Sequence, residues 1–319
     1  MRLRELSAQT YAREVLPQTA ALWSGRRTFD AYVEQTLALA TSAYGRRFYR
    51  TIGLYDGSTL VASFKRYERT LQDRGQRLRA FGFGAVFTPP EYRGRGYASI
   101  LLAAALDAAR ADGYDVAFLF SDIRPQFYAE LGFRALPSRE FSLRADALPS
   151  GRLAPARVDS DDDWRAVRRC YEFSLRRGGI GFGRSATLWG WTRLRIAHGS
   201  EHRAGDVMNL LVRRGRVITA YVLGVRVPQR DTFVVDEYGF ASESSAATIP
   251  ALLRAAAGDL RRIAGWLPPA GARDLLPRLS VRRRGGAVLM MAPLQPRGAA
   301  LIDRIASERL EIGWATDHI

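Results

Sequence analysis

The segment 78–120 constrains the fold more than any other in this chain. Residues 78–88 form an apolar, β-rich run long enough for a central strand, and Pro89 and Pro90 end it. The loop Arg93-Gly94-Arg95-Gly96 comes next. An apolar helical run opens at Tyr97 and stops at Gly113, and 116–120 then reads as a short buried strand. The loop therefore lies at the mouth of a helix. There the first backbone N–H groups have no partner within the helix, and the helix dipole adds positive charge. Glycines let the backbone approach an anion closely, and Arg93 and Arg95 add charge. From the residues alone, the loop is either an anion cradle suited to phosphate or a tight solvated turn. The Walker pattern is absent because no Gly-Lys-Ser/Thr follows, and the spacing fails the Rossmann pattern.

Strand-like and helix-like segments alternate through the rest of the first half. Residues 2–7 alternate as a strand, and 12–23 and 29–43 carry apolar residues at helical spacing. Segments 48–54 and 60–69 read as strands, with a turn signal at Asp56-Gly57 after the first. Residues 125–131 predict a short helix, and 133–143 returns as a strand. Pro149-Ser150-Gly151 and the polar stretch to Asp163 mark a boundary, giving domains 1–148 and 149–319. The acidic run 159–163 suits a solvated helix start, where carboxylates face the positive end of the dipole. Beyond it, 164–175 is helical, 207–213, 217–227 and 232–240 are strands, 248–266 is a helix, and 279–293 holds one or two strands. The order of elements repeats that of the first half, as a divergent duplication would. The fold class is α/β in the broad sense that includes α+β.

A length of 319 residues suits two domains. The formal net charge of +16 fits nucleic acid, a membrane surface or an anionic small ligand. Lys65 is the single lysine, the arginines are spread along the chain, and no zinc-finger or RNP-like pattern accompanies them. Enrichment in arginine and alanine together looks like the codon bias of a GC-rich genome, so no nucleic-acid partner is expected. No window approaches eighteen apolar residues and the first residues lack a signal-peptide core, so no membrane partner and a cytoplasmic location are expected. Cys170 is the single cysteine, which excludes a disulfide framework and fits a small core residue. His198 and His202 lie in HGSEH, which is not the zincin order. They read as surface loop residues, and no metal is expected.

The stretch 81–136 resembles the GCN5-related N-acetyltransferase (GNAT) family. Arg93, Gly96 and Ala98 match that family's Arg/Gln-x-x-Gly-x-Gly/Ala loop, which follows a strand as it does here. Tyr128, Gly132 and Phe133 match its Tyr-x-x-x-Gly-Phe motif. The resemblance covers roughly residues 1–145 and implies a mixed, mostly antiparallel sheet with helices on both faces, splayed between its fourth and fifth strands to admit acetyl-CoA. It further implies that backbone amides of Arg93, Gly94, Arg95, Gly96, Tyr97 and Ala98 hold the pyrophosphate. Ala85, Val86, Phe87 and Thr88 would pair with the pantetheine arm, with Ser121 and Asp122 on its other side. Tyr128 would be the acid that protonates the leaving thiolate, and a backbone N–H near Val86 or Phe87 would polarise the carbonyl.

Many family members place a glutamate on the fourth strand, whereas 79–86 carries no carboxylate here. The base is then a water chain, Asp122, Glu68 or a group from the second half. The end of the chain offers Asp317, His318 and a free carboxylate, and in the similar tandem acetyltransferases called Eis the terminal carboxylate enters the site. LFSDIRPQFYAELGF also resembles fungal lysine N-acetyltransferases. The second half has no counterpart of the loop, since ASESSAATIPALL is neither basic nor glycine-rich. Such halves wall the acceptor pocket or form dimers, so a homo-oligomer fits this pattern. Asp236, Glu237 and Tyr238 either meet a cationic acceptor or face solvent. The expected function is acetyl transfer from acetyl-CoA to the amine of a small-molecule acceptor. The alternative is a catalytically silent CoA-binding sensor.

Overall fold

The structure is a computed structural model that describes residues 1–151, 153–200 and 205–318, without the side chains of 199 and 200. The chain opens with β1 (Arg2–Leu6) and four helices, α1 (Ala8–Glu14), α2 (Leu16–Trp23), α3 (Phe29–Thr41) and α4 (Gly45–Phe48). Strands β2 (Arg50–Asp56), β3 (Thr59–Asp73) and β4 (Gln76–Phe87) form a meander, and α5 (Tyr97–Ala111) crosses to β5 (Val116–Ser121). Next come α6 (Pro125–Ala129), β6 (Arg134–Ala135) and β7 (Arg139–Arg144). The second half begins with β8 (Ala156–Arg157), α7 (Asp161–Gly178), β9 (Ile180–Gly183) and α8 (Ala186–Ser200). It continues through β10 (Asp206–Val207), β11 (Leu210–Arg214), β12 (Val217–Val227), β13 (Thr232–Phe240), α9 (Glu243–Ala246) and α10 (Ile249–Ala257). It closes with β14 (Arg262–Trp266), β15 (Ser280–Arg283), β16 (Val288–Pro293) and α11 (Pro296–Ser307).

Two mixed sheets result. The first runs β1-β2-β3-β4-β5-β16-β6 with β9 beside β3, and the second runs β15-β7-β14-β13-β12-β11-β8 with β10 beside β12. Among the described residues each sheet holds one parallel pair, β4 with β5 and β13 with β14. The two halves share this plan, as a duplication would give.

The sheets exchange strands. β16 comes back from the end of the chain to pair with β5, from Val288↔Ser121 to Pro293↔Val116, and with β6 on its other edge. In return β7 leaves the first half and pairs with β14. The expected division at 148/149 therefore does not separate the two sheets. The run 133–143, expected as one strand, breaks at Pro137, which has no N–H to continue a ladder. Its first piece stays in the first sheet and its second joins the other. α11 follows β16 and packs Leu301, Ile302 and Ile305 against the first sheet's core, where Phe118 and Leu71 lie.

Local punctuation explains most element ends. The expected helix 12–23 is two helices, because Pro17 opens α2. α7 starts at a capping box in which Ser160 and Asp163 satisfy each other's backbone N–H, and it ends at Gly179 with φ 70°. Asp161 and Asp162 are exposed as expected, while Asp163 is buried in its capping role. The expected helix 248–266 stops at Ala257. Gly258 turns the chain at φ 61°, and the following run becomes β14.

Candidate functional site

β4 and β5 pair only from Ala80↔Val116 to Phe83↔Leu119. Beyond that point β4 bulges. Its register against β3 slips so that Ala85 and Val86 lie between the pairs Gly84↔Lys65 and Phe87↔Ser63. Ala85 takes φ 46°, a left-handed conformation that costs a non-glycine residue about 1 kcal/mol. β5 meanwhile stays with β16 to its end at Ser121. A wedge opens between the two strand ends, and the backbone of 84–86 lines it.

At the far end of β4 the chain turns through Pro90–Tyr92 into the mouth of α5. Gly94 and Gly96 have φ 76° and 77°, and nothing lies within 4 Å of where their Cβ atoms would be. No side chain caps α5. Arg93 turns back, its Nε donating to the Thr88 carbonyl at 3.1 Å, and Arg95 lies over the Tyr92 ring at 5.8 Å. The helix mouth is thus open, uncapped and basic, and it fits a phosphate. The corresponding place after β13 differs. There Ser242 caps α9 by accepting from Ser245 N, and Glu243 pairs with Arg177 at 2.9 Å.

One cavity of about 400 Å³ joins the wedge to the rest of the site. Gly84, Ala85, Val86, Asp122 and Tyr128 line it together. Phe87, Thr88, the loop 93–98 and Ser121 do not. The Phe87 side chain is core, 6.4 Å edge-on from Trp23, and the Ser121 hydroxyl donates to the Ile123 carbonyl. Asp122 accepts from Ala287 N at 2.9 Å. Tyr128 is held by the Phe133 N–H on its carbonyl and by the Phe127 and Phe133 rings. Burial first, and Asp122 second, push its phenol up to about 12, so it keeps its proton at neutral pH.

The opposite wall is aromatic. Tyr11 and Tyr32 come from α1 and α3, Tyr49 from the end of α4, and Tyr67 from β3. Beneath them Lys65 is buried, its Nζ 3.6 Å from the centre of the Tyr11 ring and 4.6 Å from that of Tyr49. Its burial pulls its pKa down to about 7. Side chains alternate along β3, so Lys65 and Tyr67 share one face while Arg66 and Glu68 take the other. Glu68 binds Arg66 at 2.7 Å, and Arg66 in turn reaches Tyr114 on the α5 side. As a candidate base Glu68 is therefore on the wrong face of the sheet.

The second half completes the cavity with Arg195 and His318. The final residues are clamped by a buried network. Arg184, with no exposed side-chain surface, binds Glu237 at 2.7 Å and Asp317 at 2.8 Å. Thr316 and Tyr221 donate to the two oxygens of Glu237. Asp317 also accepts from Trp314 N at 3.0 Å. Asp317 is thus wholly engaged away from the cavity. His318 enters it, edge-on to Phe120 and Trp266, with Nε2 3.8 Å from Asp122. Burial lowers its pKa to about 4, so the imidazole is neutral. Ile319, with the terminal carboxylate, lies outside the described residues.

Other expectations change. Glu237 and Tyr238 neither meet solvent nor line the cavity; both are buried, and Tyr238 donates to the Ala272 carbonyl. His198 sits on α8 and not in a loop, while Glu201 and His202 lie outside the described residues. Among the described residues no group of three or more His, Cys, Asp or Glu could hold a metal, and no helix is long and apolar enough to cross a membrane. Cys170 is buried, and its thiol is pushed up to about 12.

Residues 8–136 match the family model described as an acetyltransferase (GNAT) domain. A lysine acetyltransferase of Yarrowia lipolytica is 29% identical over 109 residues, a match that spans 32% of this chain and 28% of that relative. Among solved structures, a GCN5-related N-acetyltransferase from Kribbella flavida is 20% identical with a TM-score of 0.67, over 94% of this chain and 74% of that one. Eis1 from Mycobacterium abscessus is 15% identical with a TM-score of 0.62, over 92% of this chain and 74% of that one. At such identities the structures establish the fold. Residues 8–136 thus match an acetyltransferase (GNAT) domain, and the chain as a whole shares the fold of these structures.

Proposed function

We propose that the chain is an N-acetyltransferase that moves the acetyl group of acetyl-CoA to the amine of a small-molecule acceptor by direct attack. The observation that carries this reading is the single cavity that gathers the bulged backbone of 84–86, the protonated Tyr128 and residues of the second half. A volume of about 400 Å³ suits a small ligand.

The chain's own groups divide the work. Backbone amides of 93–98 at the uncapped mouth of α5 hold the pyrophosphate. The backbone of 85–88 lies along one side of the pantetheine arm, with Ser121 and Asp122 on the other. A backbone N–H near Val86 or Phe87 polarises the carbonyl. Acetyl-CoA supplies the activated thioester. The acceptor nitrogen attacks as the free amine and forms the new C–N bond, the C–S bond breaks, Tyr128 gives its proton to the leaving sulfur, and the proton that the nitrogen loses returns through water to the Tyr128 oxygen. Among the described residues no cysteine or serine lines the cavity to form an acyl intermediate.

Thiol release from acetyl-CoA, followed against a panel of amines, tests the reading. Tyr128→Phe should lower kcat by about 10²-fold while acetyl-CoA still binds, the usual scale for losing a general acid. A protein that binds acetyl-CoA but releases no thiol with any amine would be the silent sensor instead.

A further inference from the structure

Two chambers meet at Arg195. The larger holds Tyr128 and the wedge. A smaller one of about 240 Å³ extends into the second half past Asn209 and Asp236. Gln35, Arg195 and His318 line both. Arg195, on α8, donates to the carbonyls of Thr316 and His318. Among the described residues no carboxylate lies within ion-pair distance of it.

Arg184 shows the contrast, because it is buried between Glu237 and Asp317. Arg69 adds to the imbalance. It is buried, and among the described residues none of its three guanidinium nitrogens has a hydrogen-bond partner. Arg69 and Arg195 lie over the same Trp191 ring, at 5.7 and 5.2 Å. Burial first, then the charge of Arg69, draw the Arg195 pKa down to about 10, which leaves it cationic at neutral pH. Arg195 is half-buried; a partly desolvated charge with no counterion among the described residues is costly, and an anion there relieves it. The lining carboxylates do not offset it. Asp122 sits at the wedge beside His318, and Asp236 has a partner of its own.

We propose that the acceptor carries a carboxylate besides its amine, and that Arg195 binds this carboxylate where the chambers meet. The inference rests on the acetyl-transfer reading above. With the carboxylate at Arg195, the amine points back to the wedge. A polycationic amine meets a guanidinium at the same place and is rejected.

The test compares matched amines with and without the carboxylate: 6-aminohexanoate against 1-aminohexane, and 4-aminobutanoate against 1-aminobutane, with 1,6-diaminohexane as the dication. In the natural protein kcat/KM should favour the carboxylate of at least one pair by about tenfold or more, as a charge-assisted hydrogen bond implies. The diamine should be the poorest. Arg195→Met should bring that ratio to about one, and Arg195→Lys should keep part of it. The ratio is internal to each variant, so partial unfolding does not alter it. If Arg195 only anchors the chain end, Arg195→Met slows both members of a pair equally and the ratio survives, which overturns the proposal. A ratio near one in the natural protein also overturns it. If no amine is acetylated, the transfer reading fails separately. Calorimetry then decides the anion site: 6-aminohexanoate binding that Arg195→Met abolishes supports it, and absent or unchanged binding refutes it.

Discussion

Arg184→Met should be among the most damaging single substitutions in this chain. The guanidinium donates through Nε to Asp317 at 3.0 Å, and through one terminal nitrogen to Glu237 at 2.7 Å, Thr316 at 2.8 Å and Asp317 at 2.8 Å. It also stacks on Tyr171 at 4.0 Å and Trp189 at 4.8 Å. Methionine fills much of the volume but leaves two carboxylates buried, with side-chain exposures of 0% and 1%. Removing one partner of a buried pair costs about 3–5 kcal/mol. For a protein of this size that corresponds to a fall in Tm of about 5–7 °C. Thermal and urea unfolding followed by circular dichroism measure it. Adding Glu237→Gln and Asp317→Asn to the same protein should recover part of the loss, since neutral groups are cheaper to bury than ions. Acetyl transfer should fall further than the folded fraction does, because this network fixes the residues that carry His318 into the cavity. A loss below about 1 kcal/mol would refute the reasoning, since the carboxylates would then have found water or protons at little cost.

Two further outcomes follow from the strand exchange and from Lys65. A fragment of residues 1–148 lacks β16 and α11, so β5 loses a six-residue partner and the core around Phe118 loses its cover. It should fail to fold cooperatively, whereas the whole chain should unfold in one transition by both near- and far-ultraviolet dichroism. A soluble fragment with a sharp transition would contradict this. Burial lowers Lys65 from 10.5 to about 7. Between those values the unfolded chain holds a proton that the folded chain has released, so stability should rise with pH from about 7 to 10.5. Lys65→Met should flatten that slope in urea titrations at stepped pH, and an unchanged slope would assign it to other groups.

The parts of the fold legible in the sequence were those with local causes. Pro89, Pro90, Gly96 and Gly113 punctuate α5, and its observed span, Tyr97–Ala111, agrees with the expected one. The strands 217–227 and 232–240 also agree with β12 and β13, where hydrophobic runs end at turns. The exchange of β7 and β16 was not legible. A six-residue apolar run such as VLMMAP fits any buried sheet, and its partner lies about 170 residues earlier in the chain. α8 was missed because the charged Arg195 falls within the face that Leu188, Trp189, Trp191 and Ile196 share, which interrupts the apolar stripe. β14 was hidden inside an apparent helix, although Gly258 marked the stop.

The site divides in the same way. The loop and Tyr128 sit in short motifs, so their neighbourhood could be read directly. The cavity's other wall is assembled from α1, α3, β3, α8 and the final residues, and no spacing relates them. One signal was present. Lys65 and Tyr67 alternate with Phe64, Arg66 and Glu68 on β3, and an inward lysine on a strand asks what surrounds it. Glu237 misled for a physical reason. A carboxylate within a strand is usually exposed, and here Arg184, 53 residues earlier, makes its burial affordable.

The most direct test of the account is calorimetric titration of acetyl-CoA into three proteins: the natural chain, Gly96→Ala and Gly96→Glu. Gly96 lies at φ 77° with open space around it, so both variants carry the same backbone strain and neither meets a steric clash. The glutamate alone adds negative charge at the mouth of α5. Binding that survives Gly96→Ala, weakened tenfold at most, and disappears in Gly96→Glu is the predicted result. Equal binding by all three, or none by the natural protein, would contradict the claim that this loop holds the pyrophosphate.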